Sequence, residues 1–311
     1  MKKLIIVFIV IVFIGFGVYF FVPGLFSNKD DQKSDIITNS LPLQEEKQII
    51  NENQVVEQDD VKESIIGKSV EGRNITAYHY GGGDIEILFV GGIHGGYEWN
   101  TTLLAYEAMD YLEANLDVIP TNVKVTIIPV LNPDGLNKVV GTSARFELTD
   151  IPVLQDDTIA GRFNGNNVDL NRNFDCDWQS NGTWKNKSVS GGSEAFSEPE
   201  SQAIKNYIEN KKLQAVVIWY SAAGGVFSSN CHNGILTETR ILTNVYADAS
   251  GYPSYEEFDF YKITGDMANW LAKENIPAIS ILLTNHNDIE WDKNKAGMKA
   301  LFEYHDTEIA L

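Results

Sequence analysis

Cysteine is nearly absent from this chain: 311 residues hold 2, too few for a disulfide scaffold or a thiolate zinc knuckle, though enough for one bridge. Basic residues are scarce as well. Lys and Arg number 24 against 43 Asp and Glu, for a net charge of -19, and no basic cluster exceeds Lys2-Lys3 or Lys211-Lys212. That argues against nucleic acid as a partner, because neutralising phosphates requires a basic face. No alanine precedes Ala77 and no aromatic residue occurs in 27–63. The first absence leaves no Ala-x-Ala cleavage site near the amino terminus; the second leaves 27–63 little to pack with.

What is present divides the chain into three. Met1-Lys2-Lys3 leads into an apolar run from Leu4 to Val22, which as a helix spans roughly 28 Å, close to the hydrocarbon thickness of a bilayer. Residues 1–26 are therefore expected to form an uncleaved transmembrane signal anchor, with Lys2 and Lys3 cytoplasmic and the rest of the chain extracytoplasmic. Residues 27–63 carry ten acids and four bases and are expected to be a disordered acidic stalk. The remainder, 64–311, has Gly and aromatics throughout, enough for one large domain.

Within 64–311, apolar runs alternate with helical patterns. Asp84–Val90, Val123–Val130, Ala215–Tyr220 and Pro277–Leu283 read as buried strands. A helix is expected after an Asn100-Thr101 cap, another behind a Ser197/Glu200 capping box, a third over Asp266–Lys273 and a last one from Trp291 to Tyr304. Asn132-Pro133-Asp134-Gly135 reads as a turn. This α/β alternation predicts a largely parallel sheet covered on both faces, with functional groups beyond the carboxyl ends of its strands. His94, Tyr220 and the 284–290 loop fall there.

Two groups of residues could carry chemistry. His94-Gly95-Gly96-Tyr97-Glu98 places an imidazole and a carboxylate on one loop, where both could reach a zinc ion; the same pair is also common on ordinary surfaces. Arg162, Asn171 and Arg172 supply donors suited to a carboxylate or a developing oxyanion. Arg172 could equally pair with a neighbouring acid to hold a loop.

The strings GGIHGGYEWN, NPDG, GRFN, VDLNRNF and FSEPE, with Tyr261 followed by a Gly-Asp turn and Trp270, together resemble the zinc carboxypeptidases of the carboxypeptidase A type. The resemblance runs from about Gly67 to Tyr304. It implies a three-layer α/β/α fold with a mixed sheet of about eight strands, one zinc ion, and removal of residues from peptide C-termini, cell-wall peptides included. By motif, it implies His94 and Glu98 as zinc ligands and Arg162 as oxyanion stabiliser. Asn171 and Arg172 become the clamp on the terminal carboxylate, Tyr261 the cover over bound substrate, and Ala268 the floor of the specificity pocket. A small neutral floor argues against a preference for basic residues.

The chain also departs from that pattern. One extra residue separates His94 from Glu98. Tyr220 stands where the family has its third ligand, a His, and Leu282 where it has its general base, a Glu. A phenol binds metal only as phenolate, and a leucine accepts no proton. His232, His286, Asp288 and Glu290 lie on segments near the strand ends and are candidate substitutes, each also readable as a solvated loop residue. Cys176 and Cys231 fall on loops near the same region, where they would form a bridge in an oxidising exterior or remain two thiols. The leading expectation is a metallocarboxypeptidase with impaired activity. Its rival is a non-catalytic surface receptor that grips peptide C-termini, and an amidase or deacylase on a related scaffold comes third.

Overall fold

A computed structural model describes residues 62–307; the expected anchor and most of the stalk lie outside them. Among the described residues no helix is long and apolar enough to cross a membrane. The strands are β1 (Lys62–Lys68), β2 (Asn74–Tyr80), β3 (Ile85–Val90), β4 (Val123–Ile128), β5 (Asn181–Trp184), β6 (Lys187–Ser190), β7 (Leu213–Ser221), β8 (Gly225–Ser228), β9 (Ser254–Tyr255) and β10 (Ala278–Leu283). The helices are α1 (Trp99–Ala114), α2 (Pro133–Val140), α3 (Pro199–Glu209), α4 (Thr237–Ser250), α5 (Met267–Lys273) and α6 (Trp291–Thr307).

Eight strands form one sheet in the order β1-β2-β4-β3-β7-β10-β8-β9, and β5 pairs with β6 in a separate hairpin. The centre β4-β3-β7-β10 is parallel, as the continuous apolar runs predict. The sheet as a whole is mixed rather than largely parallel, because β1, β2 and β8 pair antiparallel.

Alternation along the central strands separates two cores. Val217 and Trp219 of β7, with Ile279, Ile281 and Leu283 of β10, pack in the cluster shared with α1, α4 and α6. Val216, Ile218 and Tyr220, with Leu282, belong to the cluster shared with α3 and α5. Helices thus cover both faces, and Tyr220 and Leu282 emerge on the same face, opposite each other in the β7/β10 register.

Three local expectations are corrected. Asn132-Pro133-Asp134-Gly135 is not a free turn but the start of α2: the Asn132 side chain accepts from the Gly135 N–H (2.8 Å) and Pro133 occupies the first turn, where its missing donor costs nothing. Asn100 does not cap α1. It lies inside that helix, fully buried, and its Nδ2 donates to the carbonyls of Asn285 (2.8 Å) and Asp288 (2.9 Å), tying down the 284–290 loop. Ser197 and Glu200 form no capping box, because Pro199 starts α3 with Glu198 as its cap. Glu200 instead accepts from Asn164 Nδ2 (3.0 Å) and the Val70 N–H (3.1 Å).

Candidate functional site

The loop leaving β3 turns tightly enough to bring His94 and Glu98 together. Gly95 to Glu98 form a 3-10 turn closed by the Tyr97 N–H on the His94 carbonyl (3.0 Å), which takes up the extra residue of this loop. Both glycines are required. Gly95 sits at φ +43°, and a Cβ on Gly96 would lie 2.4 Å from the Val139 Cβ. His94 Nδ1 consequently lies 2.9 Å from Glu98 Oε1, and Nε2 lies 3.3 Å from Asp169 Oδ1. Neither approach has hydrogen-bond angles, so the two buried imidazole nitrogens face carboxylates without a well-formed hydrogen bond.

Arg162 closes the cluster. Its Nε and Nη2 bind Asp169 Oδ2 at 2.9 and 2.8 Å, its Nη1 is 3.8 Å from Glu98 Oε1, and its guanidinium lies 4.6 Å from the Trp184 ring centroid and 5.7 Å from that of Tyr97. Burial alone would raise the Asp169 carboxyl, but Arg162, His94 and Arg172 hold it well below the usual carboxylate range. Glu98 is likewise held down against burial by His94 and Arg162, and its Oε2 accepts the Ser221 N–H at 3.1 Å.

Tyr220 faces this cluster with its ring 5.9 Å from that of His94, and its hydroxyl donates to Asn171 Oδ1 at 3.0 Å. Burial, reinforced by the charges of Asp266 and Glu98, pushes the phenol well above its ordinary value of 10, so it is a protonated donor at neutral pH. Leu282 lies beside it, 9 % exposed.

These groups open on a cavity of about 460 Å³. His94, Glu98, Arg162, Asn171, Tyr220, Tyr261, Ala268 and Leu282 all line it, whereas Arg172 does not. Arg172 is 1 % exposed; it donates to the carbonyls of Asn171 (2.7 Å) and Thr183 (3.0 Å), and the Tyr261 ring lies 5.9 Å from its Cζ. Its stem passes so close to β5 that a Cβ on Gly182 would sit 2.7 Å from its Cδ.

Of the four candidate substitutes only His286 reaches the cavity. Burial lowers its pKa; Nδ1 is 3.1 Å from Ser221 Oγ and Nε2 is 3.3 Å from the Tyr97 hydroxyl. Ser221 Oγ donates to Asn100 Oδ1 (3.0 Å), so the serine proton points away from the imidazole. Glu290 is used by Thr284 and Tyr252, Asp288 turns its carboxylate to the Glu290 N–H, and His232 pairs with Asp177 at the surface. Cys176 and Cys231 form a disulfide, Cα to Cα 6.2 Å. Asp169, Trp184 and Ser221 were not singled out from the sequence; Asp169, inside VDLNRNF, was the one with a signal.

Residues 50–291 match the sequence model of the zinc carboxypeptidases, and the chain belongs to that family. Metallocarboxypeptidase A of Arthroderma otae is 32% identical over 66% of this chain and 53% of its own length. A zinc carboxypeptidase of Simulium vittatum is 30% identical over 49% of this chain and 50% of its own, and carboxypeptidase M of Mus musculus is 27% identical over 58% and 35%. The chain thus spans about half the length, or less, of these relatives. Carboxypeptidase A from Helicoverpa armigera superposes with a TM-score of 0.59 at 20% identity, covering 80% of this chain and 68% of that one. Murein-tripeptide amidase from Escherichia coli O157 gives 0.55 at 17%, covering 78% and 92%. Both share the fold.

The family implies zinc, and the donor set here can be tested against it. His94, whose two nitrogens make no well-formed hydrogen bond, and Glu98 are suitable donors. Tyr220 is not, because its proton is held on a hydrogen bond to Asn171 and burial opposes its ionisation. Among the described residues the three-member group of close-set His, Cys, Asp or Glu donors is Cys176, Cys231 and His232, whose sulfurs are spent in the disulfide. The residues present do not make the family's three-donor centre.

Proposed function

We propose that this domain binds the C-terminal end of peptides, cell-wall peptides among them, on the outer side of a membrane, and does not cut them by the family's route. One observation carries the reading. The two positions facing His94 and Glu98 across the cavity, Tyr220 and Leu282, offer a protonated phenol and a hydrocarbon, while the polar lining around them is kept.

The binding chemistry follows from what each group has left to give. Asn171 Oδ1 is occupied by the Tyr220 hydroxyl and the Met267 N–H (3.1 Å), so its Nδ2 is the end available to an incoming carboxylate. Arg172 acts from behind as a positioning residue, holding the Asn171 carbonyl and contributing positive charge beneath the Tyr261 ring. Arg162 adds a second buried cation at the cavity wall. Neither Leu282 nor Tyr220 offers a base to activate water from its own position.

Titration calorimetry with one short peptide as free acid and as C-terminal amide tests this. The free acid should bind at least tenfold tighter, since hydrogen bonds to a charged group contribute about 1.5–3 kcal/mol, with no amino acid released. Equal binding of the two forms would refute the reading. Release of the terminal residue, stopped by a chelator, would return the protein to its relatives' hydrolytic chemistry.

A further inference from the structure

The disulfide brings two further donors together. Cys176 is followed by Asp177 and Cys231 by His232, and both followers take the left-handed backbone region, φ +52° and +61°, uncommon for residues with a side chain. There they meet, His232 Nε2 lying 2.9 Å from Asp177 Oδ1. One ring nitrogen of His232 and the two sulfurs all lie within 4.8 Å of one another. The cysteines are buried beside Ala272, whereas His232 and Asp177 are exposed, so the cluster has the core on one side and solvent on the other.

The S–S bond is not alone in holding these segments. The Cys176 carbonyl accepts the Gly265 N–H (2.7 Å), Asp175 pairs with Lys273 of α5 (2.6 Å), and the Asn230 N–H donates to Asn269 Oδ1 on the same helix (2.9 Å). Both segments are thus fastened to α5 and the turn before it by contacts that survive reduction.

We infer that the reduced form of this bridge is a binding site for a soft divalent ion of the zinc class, with Cys176, Cys231 and His232 as ligands and Asp177 behind the imidazole. Two thiolates at about 2.3 Å and an imidazole at about 2.0–2.1 Å make three corners of a zinc tetrahedron. Breaking the bond lets the sulfurs part to about 3.8 Å, the spacing two thiolates need on one such ion. Asp177 on Nε2 fixes the ring and leaves Nδ1 for the metal, as carboxylates do behind metal-bound histidines. Water takes the fourth corner. The chemistry balances in two steps. A dithiol gives two electrons and two protons to the S–S bond and leaves as its own cyclic disulfide; the ion then displaces the two thiol protons. Ion and bridge exclude each other, so the site belongs to the chain before oxidation or under a dithiol reductant. Nothing in this depends on the peptide-terminus reading.

The test reduces the purified protein with a phosphine, which with one water becomes the phosphine oxide and leaves no competing thiol, and titrates it with Co²⁺ and then Zn²⁺. The reduced protein should bind one equivalent of cobalt with thiolate-to-metal charge-transfer absorption, displaced by zinc. The oxidised protein should lack that absorption, whereas metal held at His94 and Glu98 would bind both forms without it. His232→Ala and Asp177→Asn should each weaken cobalt binding about 10- to 100-fold. Zinc should raise the Tm of the reduced protein more than that of the oxidised one, because an ion bound by the folded state alone stabilises it. A folded reduced protein that takes up no cobalt overturns the inference, and so does a reduced protein that unfolds and is not restored by zinc. Unchanged affinity in His232→Ala overturns the ligand set, and unchanged affinity in Asp177→Asn overturns the role given to Asp177.

Discussion

Placing a histidine at Tyr220 and a glutamate at Leu282, singly and together, gives the sharpest test of the proposal that this cavity does not cut peptides. Tyr220→His removes the hydroxyl from Asn171, a loss of about 0.5–1.5 kcal/mol, and returns an imidazole to the face opposite His94 and Glu98. Leu282→Glu places a carboxyl at a position 9 % exposed, where desolvation favours its neutral form. Because the two residues are register partners on adjacent parallel strands, their effects should be strongly non-additive. Zinc content measured on the four purified proteins should reach one equivalent only where Tyr220→His is present. Hydrolysis of a peptide with a free C-terminus should appear in the double variant at a rate about 10² to 10⁴ above Tyr220→His alone, the range of general-base catalysis. Chelator-sensitive hydrolysis by the wild type comparable to the double variant would show that Tyr220 and Leu282 do not disable the site. Failure of the folded double variant to take up zinc would refute the placement of Tyr220 as the missing ligand.

Three further outcomes follow from the packing. Asp169→Asn leaves the buried Arg162 without its carboxylate and should cost about 3–5 kcal/mol, a fall in Tm of roughly 6–20 °C for a domain of this size. The same variant should flatten the acid limb of stability. Asp169 and Glu98 have folded pKa values below the unfolded ones, so their contribution is complete above about pH 5 and is lost as pH falls toward the folded values. Asp266 and Glu200, raised in the fold, act in the opposite sense. Urea midpoints from pH 7 to 3 should therefore fall less steeply in Asp169→Asn, and parallel curves would remove Asp169 as the cause. Cys231→Ser opens a loop with a sequence separation of 55, which in the chain-entropy treatment costs about 4 kcal/mol; denaturant unfolding of the variant against wild type checks it. Gly96→Ala should destabilise by about 1–3 kcal/mol through contact with Val139, and an unchanged midpoint would mean the 3-10 turn shifts freely.

How far the fold could be read from the sequence depended on how each segment announces itself. The parallel centre was legible because β3, β4, β7 and β10 are rich in Ile, Val and Leu and buried on both faces over most of their length. The flanking strands were not. β1 and β2 alternate imperfectly, with a bulge between Ile65 and Gly67, and β9 is two residues long. The start of α2 was hidden because Asn-Pro-Asp-Gly serves a turn and a helix cap with the same chemistry. At the site, the motifs located His94, Glu98, Arg162, Asn171 and Tyr261 around one cavity. No local pattern could show that Arg172 turns to backbone carbonyls or that Asp266 keeps an oxygen unpaired, since both depend on contacts between distant segments.

In the proposed binding mode the hydrogen bond from Tyr220 to Asn171 gives Tyr220 a task, and that can be tested alone. Asn171 Oδ1 receives two donors, Tyr220 from β7 and the Met267 N–H from the first turn of α5. Together they fix the amide with Nδ2 as its free end. Removing the hydroxyl in Tyr220→Phe keeps the ring and its packing in the core with Leu282, leaves Met267 as the single anchor, and lets the amide rotate. The expected loss of affinity for a free peptide C-terminus is about 0.5–1.5 kcal/mol, or roughly 2- to 12-fold, with binding of the amidated peptide unchanged. A residue that merely filled space would lower stability and leave both affinities alone. If Tyr220→Phe weakens free and amidated peptides equally, the phenol acts through the shape of the cavity and not through Asn171. A selective loss would mean that Tyr220, at the position where the family resemblance expects a ligand, orients the residue proposed to meet the carboxylate.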